Sequence, residues 1–413
     1  MKPTISALGI VLAFASVPAF GQLTRSNDRD KGPEPAQTEA KEGELRPSSG
    51  AMKALGELQK AVQAKDAASI PAKVAAAQAV AKTKEDRYFV ALFQRQAAID
   101  ANNLPALAAA VDALAASGVL DTKKVSDLYR DLGSHQFNAK QFAPAAASFQ
   151  RAASMTPNDP ELLEVLAQAQ AAAGQKGVAA AGFLKAIQAR VAAGQKPPEL
   201  LYQMAVQTAY DSQSPEAIEI GRQWIAAYPS PESWRNAMLI YRNSARPDAA
   251  TAFDILRLAR LTNALKGTND YHIYAWEAAG QANYGEAKSL MDEAVAAGKV
   301  NASDPIIAEI LAELKNKKVP TAADLAAAEK GAAVPTAFIR VGDRYYGAGQ
   351  YQKAAELYRQ ALAKGADASL ANLRLGEALA RAGDKAGAEA AFKAVTGQRA
   401  EIAKFWLIYL RQS

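Results

Sequence analysis

Residues 335–368 read PTAFIRVGDRYYGAGQYQKAAELYRQALAKGADA, and residues 369–402 read SLANLRLGEALARAGDKAGAEAAFKAVTGQRAEI. Both stretches are 34 residues long and share one template of small and apolar positions. In the first stretch, positions 4, 7, 8, 11, 20, 24 and 27 are Phe338, Val341, Gly342, Tyr345, Ala354, Tyr358 and Ala361. The first four positions fall on one face of a helix and the last three on one face of a second helix, because side chains three and four apart stack. A repeat of this period predicts a solenoid of helix pairs, which offers a binding surface rather than a catalytic pocket.

The same template recurs earlier in the chain. It fits well in the units that begin at Ser126 and Pro160, more loosely in those that begin at Pro198 and Thr268, and in degenerate form over 232–266. One unit cannot bury its apolar face alone, so neighbouring units must stack. We expect the small residues at positions 8 and 20 to let the two helices of a unit approach closely. We expect the aromatic residue at position 24 to fill the groove between one pair and the next.

The pattern resembles the tetratricopeptide repeat, over roughly 126–402. The resemblance implies an all-α, helical-hairpin solenoid coiled as a right-handed superhelix. In this family the first helix of each unit lines a concave groove, and its positions 2, 5, 9, 12 and 13 face the ligand. The groove residues implied here are Arg130, Asn138, Gln168, Tyr202, Tyr210, His272, Trp276, Tyr346 and Arg381, with Glu164, Asp343 and Glu377 on the same face. The alternative for each residue is a solvated or half-buried position without a ligand.

The N-terminus has the pattern of a secretory signal peptide. Lys2 precedes an uncharged apolar run from Ile5 to Val17, and small residues precede candidate cleavage sites before Phe20 and Gln22. The run is shorter than the ~18–20 apolar residues that a spanning helix needs, which favours cleavage over an uncleaved anchor. The sequence therefore predicts an exported, periplasmic protein of bacterial type.

Composition excludes several classes of chemistry. The chain has no cysteine, so it has no disulfide, thiolate nucleophile or thiolate metal site. It has 48 basic and 42 acidic residues, a formal net charge of +6, and its bases are interspersed with acids. This pattern does not favour nucleic acid as a partner.

The search for catalytic motifs is negative. The histidines are His135 and His272, and neither belongs to a metal-binding or nucleophile motif. Neighbouring acids such as Asp159 and Glu161 stand where a helix begins, and capping explains them. We therefore predict no catalytic residue, no metal, no cofactor and no enzymatic activity.

Shifts in composition and register divide the chain. The polar, proline-containing stretch after the signal peptide cannot bury enough surface to offset its ordering entropy. Between 303 and 334 the register slips, helices are expected to begin after Asp304 and Thr321, and a boundary is plausible near 316–334. The predicted regions are a signal peptide (1–21), a disordered linker (22–50), N-terminal helical hairpins or divergent repeats (51–125), a repeat block (126–302), inserted helices or a hinge (303–334), two C-terminal repeats (335–402) and a capping helix (403–413).

The capping helix is apolar on most sides. We expect it to pack on the last groove, although its apolar surface could also meet a partner or a membrane. Membrane association is expected only through this helix or through a partner.

Together these features predict a scaffold that binds protein or peptide segments in the concave groove of a periplasmic solenoid, without bond chemistry. The alternative is an assembly or secretion factor for envelope polysaccharide or outer-membrane components.

Overall fold

The computed structural model describes residues 45–413, with the backbone alone described at Ala249 and Ala250. This part of the chain contains α-helices, one 3-10 turn and no β-strand, which confirms the predicted all-α class. The predicted signal peptide and residues 22–44 of the predicted linker lie outside the described residues.

The chain divides into two compact units, with the division between Pro197 and Pro198. This division lies inside the predicted repeat block 126–302, and therefore at a different place from the boundary that the sequence suggested near 316–334. The helices of unit 1 are α1 (Met52–Gln63), α2 (Ile70–Val80), α3 (Lys84–Asp100), α4 (Leu104–Ala116), α5 (Thr122–Asn138), α6 (Phe142–Met155), α7 (Pro160–Ala172) and α8 (Lys176–Ala192).

Unit 2 contains the remaining helices and the 3-10 turn Gly397–Arg399. Its helices are α9 (Glu199–Asp211), α10 (Glu216–Ala227), α11 (Pro231–Ala245), α12 (Ala249–Leu261), α13 (Gly267–Gly280), α14 (Tyr284–Ala296), α15 (Pro305–Lys315), α16 (Ala322–Lys330), α17 (Pro335–Gly347), α18 (Tyr351–Ala363), α19 (Ala368–Ala382), α20 (Lys385–Lys393) and α21 (Ala400–Gln412).

Unit 1 is a stack of helix pairs, with α3 on α4, α5 on α6 and α7 on α8. Side-chain caps begin α3, α4, α5 and α7, and Thr83 and Asp86 form a capping box at the start of α3. Asp86 also accepts hydrogen bonds from the backbone N–H and the hydroxyl of Ser48, at 2.8 and 2.9 Å. The last residues of the predicted linker are therefore attached to the folded unit.

In three of the repeats, a close contact joins the glycine at position 8 to the aromatic ring at position 24. A Cβ added to Gly342 would lie 2.6 Å from Cε1 of Tyr358, and one added to Gly376 would lie 2.5 Å from Cε1 of Phe392. In unit 1, a Cβ on Gly133 would lie 2.7 Å from Cδ1 of the Phe149 ring. The ring at position 24 therefore packs against the first helix of its own unit. The expectation that this ring also fills the groove between one pair and the next stays a prediction.

Unit 2 departs from a regular stack at two places. The helices expected after Asp304 and Thr321 are present as α15 and α16, and both caps are formed. These two helices do not form a hairpin with each other, because α15 packs on α13 and α14 whereas α16 packs on α17. Helix α12 is the second departure, because it makes few contacts with its neighbours α11 and α13.

The last helix closes unit 2. Helix α21 packs on α19 and α20, as the predicted capping role requires, and also on α10 and α12. Glu401 pairs with Arg222 of α10, and the Phe405 ring lies 5.9 Å from the Tyr241 ring. The amide of Gln412 donates a 2.7 Å hydrogen bond to the Ile225 carbonyl. Within residues 45–413, no helix has the length and apolar character needed to cross a membrane.

The contact between positions 8 and 24 is open to a direct test. Gly342→Ala is expected to lower the free energy of unfolding by about 1–3 kcal/mol, since the new methyl group overlaps the buried Tyr358 ring. Gly56→Ala is the matched control, because Gly56 also lies within a helix and an added Cβ meets no atom within 4 Å. That control should raise stability by about 0.5–1 kcal/mol through helix propensity. Urea unfolding measures the free energy of unfolding of both variants. Equal changes in Gly342→Ala and Gly56→Ala would show that the close contact is absent.

Candidate functional site

The groove face predicted for α17 and α19 comes together in the structure. Asp343 and Tyr346 of α17 and Glu377 of α19 lie around a single side chain, Arg257 of α12. The resemblance placed these three residues on a ligand-binding face. The structure shows that this face contacts a helix of the same chain.

Each nitrogen of the Arg257 guanidinium group donates to a carboxylate. Its Nε and Nη2 donate to the two oxygens of Glu286 at 2.9 and 2.7 Å, and its Nη1 donates to Oε2 of Glu377 at 2.9 Å. Oδ1 of Asp343 lies 3.5 Å from Nη2. The guanidinium carbon lies 4.2 Å from the centroid of the Tyr346 ring. Bidentate pairing and stacking on an aromatic face are the two contacts for which a planar guanidinium is best suited.

Helix α12 is buried on all its faces. A helix at a protein surface buries one face only, with polar residues on the other. In α12, the buried residues are Thr251, Phe253, Asp254, Ile255, Leu256, Arg257, Leu258 and Ala259. Burial at so many consecutive positions means that α12 lies inside unit 2, where the side chains of Asp254 and Arg257 have almost no access to solvent.

A second set of charges surrounds Asp254, one turn before Arg257. Oδ1 of Asp254 lies 2.6 Å from Nη2 of Arg374, which is an ion-pair distance, although the angle is poor for a hydrogen bond. Its Oδ2 accepts from Nε of Arg399 at 3.3 Å. Arg374 also lies 3.6 Å from Asp343 and 3.5 Å from Glu377, so it joins the two sets. The central cluster, as we call it, consists of Asp254, Arg257, Glu286, Asp343, Arg374, Glu377 and Arg399.

The central cluster has four carboxyl groups and three guanidinium groups. Burial raises the pKa of Asp254 to about 7 and the pKa of Asp343 to about 6, despite the nearby arginines. Burial also raises the pKa of Glu377 well above its usual range. Oε1 of Glu377 has no hydrogen-bond partner within the described residues. A shared proton among these carboxyl groups would balance the three arginines at neutral pH.

The central cluster has the geometry of a structural core. Glu286 also accepts a 2.7 Å hydrogen bond from the Tyr274 hydroxyl, and Asp343 accepts one of 2.8 Å from the Tyr358 hydroxyl. All the carboxyl groups face arginines or hydroxyls. Among residues 45–413, no group of three or more His, Cys, Asp or Glu has an arrangement that could hold a metal ion.

Within the described residues, the other predicted groove residues of unit 2 make no hydrogen bond or ion pair with the central cluster. Tyr202 is only 2% exposed and packs on the Tyr228 ring, so it offers no surface to a ligand. The Tyr210 hydroxyl accepts a 3.1 Å hydrogen bond from Asn243. His272 and Trp276 are half-buried on α13, with ring centroids 5.9 Å apart. Arg381 is exposed, and its guanidinium carbon lies 4.6 Å from the centroid of the Tyr351 ring.

In unit 1 the predicted groove residues keep exposed surface. Arg130 is half-exposed and lies 3.4 Å from Asp159. Asn138, at the end of the same helix, is exposed. Gln168 donates a 3.3 Å hydrogen bond to Glu164, whose carboxylate also pairs with Arg190. These side chains lie on α5 and α7, the first helices of two adjacent repeats.

The sequence analysis missed the residues that hold the central cluster together. Arg257 and Asp254 were attributed to a degenerate unit, and Glu286 and Arg374 were not singled out. The available signal is the sequence of α12, in which Asp254 and Arg257 are flanked by apolar residues on both sides. Charged residues inside a helix are usually solvated, so this signal is weak without the structure.

Removing the central guanidinium should destabilise unit 2 strongly. Arg257→Ala leaves Glu286 and Glu377 buried without their main partner, which costs about 3–5 kcal/mol of unfolding free energy. Arg260→Ala is the matched control, one turn further along α12. Arg260 pairs at 3.2 Å with the largely exposed Glu293, so its loss should cost about 1 kcal/mol or less. Urea unfolding of the two variants measures these losses of unfolding free energy. A similar, small loss for Arg257→Ala and Arg260→Ala would contradict the buried pairing of Arg257.

The central cluster should also make stability depend on pH. The folded-state pKa values of Asp254, Asp343 and Glu377 are raised above those of the unfolded chain, so the folded state retains protons that the unfolded chain releases. Their stabilising contribution is complete below about pH 4. The contributions of Asp343 and Asp254 are lost as the pH rises through about 6 and about 7, and that of Glu377 also declines with rising pH. Unfolding free energy should therefore fall between pH 5 and pH 8, by on the order of 1–3 kcal/mol.

Glu377→Gln tests the source of this slope. The amide keeps an oxygen for Arg257 but cannot ionise, so the variant should show a shallower decline from pH 5 to pH 8. Urea unfolding at several pH values in that range measures it. A wild-type stability that rises with pH over this range would contradict the assignment.

Comparison with known proteins agrees with the helical-repeat architecture. A family model described as tetratricopeptide repeat matches residues 341–401, which include most of α17 and all of α18, α19 and α20. No curated protein matches the chain at a significant level.

Three solved structures illustrate the similarity of this chain to known proteins. A tetratricopeptide repeat protein from Parabacteroides merdae ATCC 43184 shares 14% identity, with 71% of this chain and 99% of that chain covered and a TM-score of 0.27. The structure of Naa15/Naa10 bound to HypK-THB shares 14% identity, covers 85% of this chain and 58% of that chain, and has a TM-score of 0.34. The apo form of RapI shares 12% identity, covers 86% of this chain and 87% of that chain, and has a TM-score of 0.27.

At these identities the likeness concerns the fold and gives no information about activity or partner. The family match and the 34-residue spacing agree on the same residues. Across residues 341–401, the C-terminal part of the chain therefore matches the tetratricopeptide repeat both in the family model and in its 34-residue period.

Proposed function

We propose that this protein is a non-enzymatic scaffold that binds segments of partner proteins on the groove face of unit 1. Tetratricopeptide repeat solenoids generally mediate protein–protein interaction. The observation that carries the proposal is the contrast between the two units. In unit 2 the corresponding face of α17 and α19 is filled by α12, whereas Arg130, Asn138 and Gln168 of unit 1 keep exposed surface.

The groove face of unit 1 has the chemistry to hold an extended or helical peptide. Arg130 offers guanidinium donors that Asp159 engages only at 3.4 Å, and Asn138 offers an exposed amide. Gln168 offers its amide beside the Glu164 carboxylate. Donors and acceptors spread over two repeats fit a polar peptide backbone with mixed side chains, since recognition of this kind combines several modest contacts.

The site of action that we propose is the periplasm. It rests on the basic residue, apolar run and small residues of 1–21, which have the order of a secretory signal. The absence of cysteine from the whole sequence is compatible with an oxidising compartment, since no thiol is there to be oxidised.

Affinity capture with two groove variants tests this function. Protein recovered from the periplasmic fraction serves as bait, and its intact mass should correspond to a chain that begins at Phe20 or Gln22. Wild-type bait should retain a reproducible set of proteins from periplasmic extract. Arg130→Glu with Gln168→Ala should reduce their recovery about tenfold or more, because both contacts lie at the proposed centre of the interface.

Arg381→Ala is the control, since Arg381 is exposed on unit 2 and remote in sequence from the proposed face. Its bait should retain the same proteins as the wild type. Equal recovery with the unit 1 variants and the control would contradict the proposed face. Recovery lost with Trp276→Ala instead would move the binding surface to α13, and an intact mass that includes residues 1–19 would contradict export with cleavage.

A further inference from the structure

A cleft opens in unit 2 where α15 departs from the regular stack. It lies beside α14 and the C-terminal half of α15 and has a volume of about 330 Å³. Since α16 packs on α17, α15 has no hairpin partner to cover this side. The lining residues are Lys288, Met291, Asp292, Leu311, Leu314, Lys315, Lys317 and Val319.

The floor of the cleft is apolar. Met291 and Leu314 are buried, with 0% and 5% exposure, and they belong to the main core of unit 2. Leu311 is half-buried, and Val319 is exposed to 38%. A recess with an apolar floor accommodates an inserted side chain, whereas a membrane surface is met by apolar groups that protrude.

The rim of the cleft is basic. Its lining has three lysines against one aspartate, and the lysines come from both walls, Lys288 from α14 and Lys315 and Lys317 from α15 and the turn after it. Lys315 is exposed and has no ion-pair partner among residues 45–413.

The other two lysines have only weak partners. Lys288 pairs with Asp292 at 3.5 Å and Lys317 with Glu313 at 3.8 Å, and both pairs are solvent-exposed. Pairs of this kind contribute little, so the lysines remain available to an incoming carboxylate.

We propose that this cleft binds an acidic segment of a partner protein, with one apolar side chain inserted between α14 and α15 and flanking Asp or Glu side chains paired with the lysines. The apolar floor supplies burial energy, and the basic rim supplies selectivity and salt-dependent association. The site lies on unit 2 and does not depend on the groove face of unit 1.

Fluorescence anisotropy with the full mature chain tests the proposal. The probe is a fluorescein-labelled peptide of repeated Glu-Glu-Leu triplets, and the matched probe has Lys-Lys-Leu triplets. Wild-type protein should bind the acidic probe with an affinity that falls as salt rises, and should not bind the basic probe. Absence of binding to the acidic probe would overturn the proposal.

Variants of the rim lysines and of the apolar floor show whether the acidic probe binds in the cleft. Lys315→Glu with Lys317→Glu should weaken binding of the acidic probe about tenfold or more, and Lys288→Glu alone should weaken it several-fold. Val319→Asp should also weaken it several-fold, because it places a charge at the apolar floor. Circular dichroism confirms that each variant remains helical, and Lys288→Glu keeps the test valid if the double variant fails to fold.

Lys330→Glu with Arg340→Glu is the charge-matched control, since both residues are exposed on unit 2 and neither lines the cleft. It should bind the acidic probe as the wild type does. Equal loss in this control, or unchanged binding in Val319→Asp, would show general attraction of a basic protein for an acidic peptide and overturn the site. Binding to phosphatidylglycerol vesicles, in place of the peptide and lost with the lysine variants, would make the surface a membrane contact and overturn the proposal.

Discussion

The pairing of Arg257 with Glu286 and Glu377 is the constraint on which unit 2 depends. Each of these three side chains is at most 2% exposed, so none can recover its hydration if the others move away. Transfer of an unpaired ion into a protein interior costs several kcal/mol, which the partner charges must offset. Helix α12 is therefore fixed in position and rotation relative to α14, α17 and α19.

This constraint explains other features of the unit. The carboxyl group of Asp254 is buried on α12 and must therefore be paired with cations. Arg374 and Arg399 supply these positive charges. Arg399 comes from the turn before α21, so the same ion pairs connect the last helix with α12. The closing contacts of α21 with α10 then complete an enclosure around α12.

Helix α12 occupies the groove face of α17 and α19, and this changes where a partner can bind. Tyr346, Asp343 and Glu377 have the types and the register of groove residues, and their chemistry is used within the chain. This is why we propose that partners bind at other surfaces, namely the groove face of unit 1 and the cleft beside α15.

Much of the fold follows from the sequence, because the 34-residue period determines which side chains of each helix are apolar. The period predicted the hairpins, and the capping residues Asp304 and Thr321 predicted the two helices where the period is lost. The resemblance to the tetratricopeptide repeat implied the common face of Asp343 and Glu377. It could not predict the inner position of α12, since periodicity gives the apolar face of a helix and not the surface that it meets. Tyr202 illustrates the same limit, because an aromatic at a groove position can equally turn into the core.

Hydrogen exchange of the full-length protein, resolved by residue, tests the central claim most directly. Buried and fully paired helices exchange only when the whole unit unfolds, whereas surface helices exchange by local opening. The account predicts that amides of residues 251–259 are among the slowest in unit 2 and have the same opening free energy as α19. Exchange of this segment through local opening, well before α19, would show that α12 is a surface helix and that the groove face of unit 2 is open.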